Sequence, residues 1–89
     1  MSCKLKIEQR VFSLFKKFEK KDKSLLEIIN RKIKRILENP EQFKPLRAPL
    51  QNKRRVHIGK SFVLVYSFDK NSETVFILDF EHHDRVYKK

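Results

Sequence analysis

One cysteine and one glycine occur in the 89 residues, and no carboxylate stands anywhere between Glu41 and Asp69. Each scarcity excludes something. A single thiol supports neither a disulfide framework nor a cysteine-built zinc site, and because Cys3 alternates with Leu5 and Ile7 a small buried structural side chain is expected there. The lone glycine, Gly59, stands with Lys60 where a two-residue type II′ hairpin turn needs it. No apolar run approaches the roughly 20 residues a membrane-spanning helix requires. Lys4, Lys6, Glu8 and Arg10 interrupt anything resembling the apolar region of a signal peptide, so a soluble cytoplasmic protein is expected. Internal repeats, low-complexity tracts and flexible linkers are also missing.

What the chain has in abundance is positive charge. Lys and Arg outnumber Asp and Glu by 22 to 11, a formal net charge of +11. Self-repulsion of that size weakens the compact state, and an acidic partner relieves it. Nucleic acid, an anionic membrane and an acidic protein all qualify, with membrane the weakest because the apolar stripes match a core. The excess is also concentrated. Lys44, Arg47, Lys53, Arg54, Arg55 and Lys60 all fall in the carboxylate-free interval, a local field that suits a phosphate backbone, although such a run also serves as a merely solvated face. At this length residues 1–89 form one domain, with a single core and an open groove rather than an enclosed pocket.

Periodicity gives the element order. Cys3, Leu5 and Ile7 alternate with charged residues over 3–8, the pattern of a half-buried strand. Val11, Leu14, Phe15 and Phe18 form a helical stripe over 9–21. Ser24 and Glu27 have capping-box spacing ahead of a second helix over 24–39, whose stripe is Leu25, Ile29, Ile33, Ile36 and Leu37. Pro40 stops it near Asn39, and Pro45 and Pro49 mark an extended connector. Three strands follow, over 53–58, 61–68 and 74–83; the last two are apolar on both faces, as central strands are, with Asp69 to Glu73 looping between them. The order β-α-α-β-β-β predicts an α+β domain with the two helices on one face of a small, largely antiparallel sheet.

Two stretches hold the chemistry: KRRVHIG from Lys53, and HHDRVY ending at Tyr87. Together they gather cations, imidazoles and a phenol near one surface. Element order, chain length, the segment RRVHIGKSFVLVYSFD and the terminal HHDRVY resemble the RelE/ParE superfamily of prokaryotic toxins, over nearly the whole chain. Many members of that family cleave mRNA in the ribosomal A site, and a gyrase-directed branch poisons DNA topoisomerase instead. The resemblance to the YafQ-like branch implies that His57, in the strand before the hairpin turn, and His83, four residues before Tyr87, belong to an active site. Where that branch has a further histidine and an aspartate this chain has Ala48 and Ser61. Val63 and His83 stand where the RelE branch has arginines, and Lys53 is a loose match to that branch's lysines.

Cleaving RNA with its own 2′-hydroxyl needs a proton acceptor, a proton donor for the departing 5′-oxygen and cations for the charge on phosphorus. No metal or other cofactor is required. Histidine, with an unperturbed pKa of about 6.5, fills either proton role. His57 and His83 are the candidate pair, and Tyr87 is placed to stack on a base or donate its phenolic proton. Lys53, Arg54, Arg55 and Arg85, with Arg47 and Lys44 of the connector, are the candidate phosphate contacts. His82 and His83 are neighbours on a strand and project to opposite faces, so a shared metal ion is not expected. Tyr66 is in phase with Phe62, Leu64 and Phe68 and reads as core, while Glu81 or Asp84 either orients a histidine or faces solvent.

The expectation is an mRNA endoribonuclease toxin acting on the translating ribosome, with mRNA, the ribosome and an acidic antitoxin as partners. The alternative is a non-enzymatic member, either a gyrase inhibitor or an inactive nucleic-acid-binding module.

Overall fold

The computed structural model describes residues 3–43, 45 and 52–82. The order is β1 (Lys4–Ile7), α1 (Gln9–Lys21), α2 (Lys23–Glu38), β2 (Lys53–Ile58), β3 (Phe62–Asp69) and β4 (Thr74–His82). The sheet runs β1-β4-β3-β2, with β1 parallel to β4 and the other two pairings antiparallel. β3 and β4 are therefore the inner strands, which is why both read as apolar throughout.

The helices form because their apolar residues recur every three or four positions: Val11 and Phe15 of α1 and Ile29, Ile33 and Ile36 of α2 are buried. α2 starts at Lys23, ahead of the predicted capping box, because Asp22 is the cap: its Oδ1 accepts the Leu25 amide at 3.1 Å. Asp22 also closes α1, so one residue joins the helices, and Asn39 ends α2 directly before Pro40.

Both helices pack on one face of the sheet, against Val56, Ile58, Leu64, Tyr66, Val75, Ile77 and Phe80. The Phe80 ring meets Phe15 and Phe18 edge-on, each at 5.7 Å, and stacks on Phe62 at 5.0 Å. Cys3 packs beside this core but is only half-buried, because β1 is an edge strand. Leu5 and Phe12 stay 38% and 50% exposed, and with Ile7, Phe15, Leu26 and Ile33 they line an open cleft of about 410 Å³. No helix among the described residues is long and apolar enough to cross a membrane.

Register corrects one expectation about the turn. Ile58 pairs with Phe62, so Gly59, Lys60 and Ser61 make a three-residue loop instead of a two-residue one. A two-residue loop would pair Val56 with Val63 and turn Leu64 away from the core, since strand faces alternate with a period of two. Gly59 does supply the left-handed backbone, at φ +61. In the second hairpin a bulge lets Tyr66 pair with Ile77 while Val65 pairs with Asp79, leaving Leu78 as the extra residue.

A candidate nucleic-acid interface on the outer sheet face

β2 buries Val56 and Ile58 against the helices, so alternation sends Arg55 and His57 to the opposite face. Cross-strand pairing then lays out that face in rows: Lys53, Ser67, Phe76; Arg55, Val65, Asp79; His57, Val63, Glu81. His57 is exposed and Arg55 half-buried. Val63 and Val65 are buried at 0% and 7%, so the rows of Arg55 and His57 each have an aliphatic floor between a basic edge and an acidic one.

The acids come from β4, about 10 Å from β2 across one intervening strand. They are already engaged. Arg10 of α1 reaches Asp79 Oδ1 at 3.1 Å and Glu81 Oε2 at 3.9 Å, and also donates to the Leu78 carbonyl at the bulge. A guanidinium thus offsets the two carboxylates that would otherwise oppose an anion on this face.

Arg54 is turned the other way. It pairs with Tyr66 on the helix-side face, and its Nη1 donates to the Phe43 carbonyl at 2.7 Å and the Glu41 carbonyl at 3.4 Å. Arg55 Nη1 donates to the Pro45 carbonyl at 3.3 Å, and Pro45 bridges the outer edge of β2 at Arg54. Tyr66 completes this fastening: its hydroxyl donates to the Pro40 carbonyl and its ring meets Phe43 edge-on at 6.4 Å. Burial pushes the Tyr66 phenol up to about 12, partly offset by the nearby Arg54 charge.

Of the residues picked out by sequence, the structure brings Lys53, Arg55 and His57 to one face of one strand and puts Arg54 behind them. His83, Tyr87, Arg85, Arg47 and Lys44, with Asp84 and Ala48, lie outside the described residues. His82 sits at the end of β4 with its ring 5.7 Å from Phe62. Among the described residues no three His, Cys, Asp or Glu side chains converge as a metal centre would need.

Sequence reading missed three participants: Arg10, Lys32 and Phe43. Lys32 and Phe43, with Arg55, Val56 and His57, line an open cavity of about 370 Å³ at the edge of β2. Lys32 carried a signal, since it stands four residues from both Ile28 and Ile36 on the inner side of α2. Arg10 carried none, because its partners lie 69 and 71 positions away.

Residues 6–87 match the family described as ParE toxin of type II toxin–antitoxin system, parDE. A candidate toxin of Methanocaldococcus jannaschii, RelE4, is 49% identical over 76 residues, 85% of this chain and 81% of the relative. The solved YoeB/ParE toxin from Agrobacterium tumefaciens matches with a TM-score of 0.79 at 17% identity, over 90% of this chain and 98% of that one. A chain of the YoeB–YefM complex from Staphylococcus aureus matches at 0.75 and 23% identity, over 93% and 99%. At those identities the two solved structures speak for the fold alone.

Proposed function

We propose that this chain, which belongs to the RelE/ParE superfamily of type II toxin–antitoxin toxins, is a metal-independent endoribonuclease that cleaves mRNA on the translating ribosome. The observation that supports this best is the pairing of groups on β2: an exposed imidazole, His57, two residues from a guanidinium, Arg55, whose Nη1 is held by a backbone carbonyl. Proton transfer and phosphate binding are thus combined on one strand whose other face is locked in the core.

In this reading one histidine accepts the proton of the 2′-hydroxyl as its oxygen attacks phosphorus. The bond from phosphorus to the 5′-oxygen breaks, and the second histidine protonates that oxygen. His57 and His83 share these roles, Arg55 and Lys53 hold the phosphate, and Tyr87 positions the base at the scissile step. Lys44, Arg47 and Arg85 add to the anion field. The products are a 2′,3′-cyclic phosphate and a free 5′-hydroxyl.

The partner is an acidic antitoxin. The Staphylococcus aureus YoeB toxin was solved with YefM, and a chain of net charge +11 gains most from a partner of opposite sign. Carboxylates of that partner cover the face of Lys53, Arg55 and His57. Its apolar residues have Leu5 and Phe12 available on the opposite side of the sheet.

A second reading, a topoisomerase-directed toxin without nuclease activity, is favoured by Val63. This buried aliphatic stands beside His57 where the nuclease branch has an arginine. Tightly controlled expression followed by mapping of mRNA 5′ ends separates the two. New ends inside translated codons support cleavage; a DNA-damage response without them supports the second reading.

A further inference from the structure

The cavity at the edge of β2 combines chemistries that neither proton transfer nor backbone binding explains. Its lining of Lys32, Phe43, Arg55, Val56 and His57 sets basic residues around an aromatic and an aliphatic one, with no acidic member among the described residues. Lys32 is half-buried on α2 and has no ion-pair partner among the described residues. A half-buried ammonium in such a setting gains from an anion beside it. Phe43 is held from two sides: Tyr66 meets its ring edge-on at 6.4 Å, and the Arg35 guanidinium lies 5.8 Å from its centroid. A ring fixed in this way offers a stacking platform at little further entropic cost. The volume, about 370 Å³, is at the lower end of the roughly 300–1,000 Å³ typical of small-ligand sites.

We propose that this cavity is a subsite for one nucleotide of a single-stranded RNA, its base on Phe43 and its phosphate between Lys32 and Arg55. The inference rests on the endoribonuclease reading and deepens it. His57 lines the same cavity, so a nucleotide seated there hands the neighbouring phosphate of the strand to that imidazole. Specificity for the base at this position then comes from the fit against Phe43 and Val56, not from the cations, which accept any nucleotide.

The test is a titration of the isotopically labelled full chain by NMR, using inorganic phosphate, adenosine 5′-monophosphate and a 2′-deoxy tetranucleotide that cannot be cleaved. Shifts are expected at Lys32, Phe43, Val56 and His57. The mononucleotide should bind at least about fivefold tighter than inorganic phosphate, the lower end of what one base stacked on an aromatic ring provides, and the tetranucleotide tighter again. Phe43→Leu should remove the advantage of the mononucleotide over phosphate. Lys32→Ala, a helix-surface change that spares the packing around Tyr66, should weaken all three probes. Equal affinities for phosphate and mononucleotide, or shifts confined to other surfaces, would overturn the subsite. A mononucleotide bound as tightly as the tetranucleotide would overturn its assignment to a strand. Since no probe is cleaved, an occupied cavity in a protein that leaves mRNA intact would sink the nuclease reading alone, and ribosome-dependent cleavage with an empty cavity would sink the subsite alone.

Discussion

The hydroxyl of Tyr66, wholly buried on β3, donates a 2.6 Å hydrogen bond to the carbonyl of Pro40, the residue that follows the cap of α2. The bond ties the end of the helical layer to the centre of the sheet. It also explains how a phenol is accommodated at a core position, because a buried hydroxyl needs a partner. With the carbonyls held by Arg54 and Arg55, it fastens the start of the connector against β2 and β3.

Tyr66→Phe should therefore cost about 1–3 kcal/mol, since the buried Pro40 carbonyl is left without its donor. For a domain of this size each kcal/mol lowers Tm by roughly 4–8 °C, which a thermal melt at neutral pH will read. The pH dependence has a definite sign. A phenol raised from its ordinary value of 10.0 to about 12 binds its proton more tightly in the folded state. Its contribution is fully present below about pH 10 and is lost as pH climbs through 12. Urea melts should show a steeper alkaline fall in the parent chain than in Tyr66→Phe.

Salt dependence distinguishes the two adjacent arginines. Arg55 is on the face of His57, so Arg55→Ala should lower the slope of log affinity against log salt for single-stranded RNA by about 0.7 for each phosphate that this guanidinium neutralises. Arg54 is on the other face and engages the Glu41 and Phe43 carbonyls. Arg54→Ala should leave the slope unchanged and lower the melting temperature instead. A slope that falls equally in both variants would mean that Arg54 reaches the RNA.

Most of the architecture was legible because period and punctuation are local signals. Val11 to Phe18 announced a helix, Asn39-Pro40 its successor's end, and the two-sided apolar runs announced inner strands. The features that sequence misplaced are those decided at a distance. Asp22 outcompeted Ser24 as the cap because it serves two helices at once, and the three-residue loop at Gly59 is imposed by the burial of Leu64 opposite Val56. In the site, alternation correctly put Arg55 beside His57 and Arg54 opposite. Adjacency in sequence had grouped all three, and nothing short of the fold reveals that Arg10 of α1 meets Asp79 and Glu81 of β4.

Arg10 is exposed, so its ion pairs should add less than about 1 kcal/mol to stability. Its effect on binding should be larger. Arg10→Ala removes the guanidinium that offsets Asp79 and Glu81 on the face proposed to take the phosphate, and RNA affinity at low salt should fall several-fold, while the melting temperature barely moves. Adding Asp79→Asn should recover much of that affinity. No recovery would show that Arg10 itself touches the RNA or that the acids lie too far away to matter.

Two histidines that exchange the roles of proton donor and acceptor require one to be neutral and the other charged, which gives a bell-shaped dependence of cleavage rate on pH. At a fixed magnesium concentration, which the ribosome itself needs, a chelator selective for transition metals should leave the rate unchanged, since no step of the proposed chemistry uses a metal. His57→Ala and His83→Ala should each lower single-turnover cleavage on programmed ribosomes by about 100-fold or more, the usual contribution of general acid–base catalysis, with RNA affinity largely kept because neither side chain is the phosphate anchor. Loss of His57 should also remove the limb of the bell that it sets, leaving a profile that titrates once. This distinguishes a proton-transfer group from one that only shapes the face, whose removal would scale the whole profile without changing its form. Full activity in the double variant would eliminate this proton-transfer pair, whereas no cleavage by the parent chain itself would eliminate the nuclease reading and leave the topoisomerase-directed one in its place.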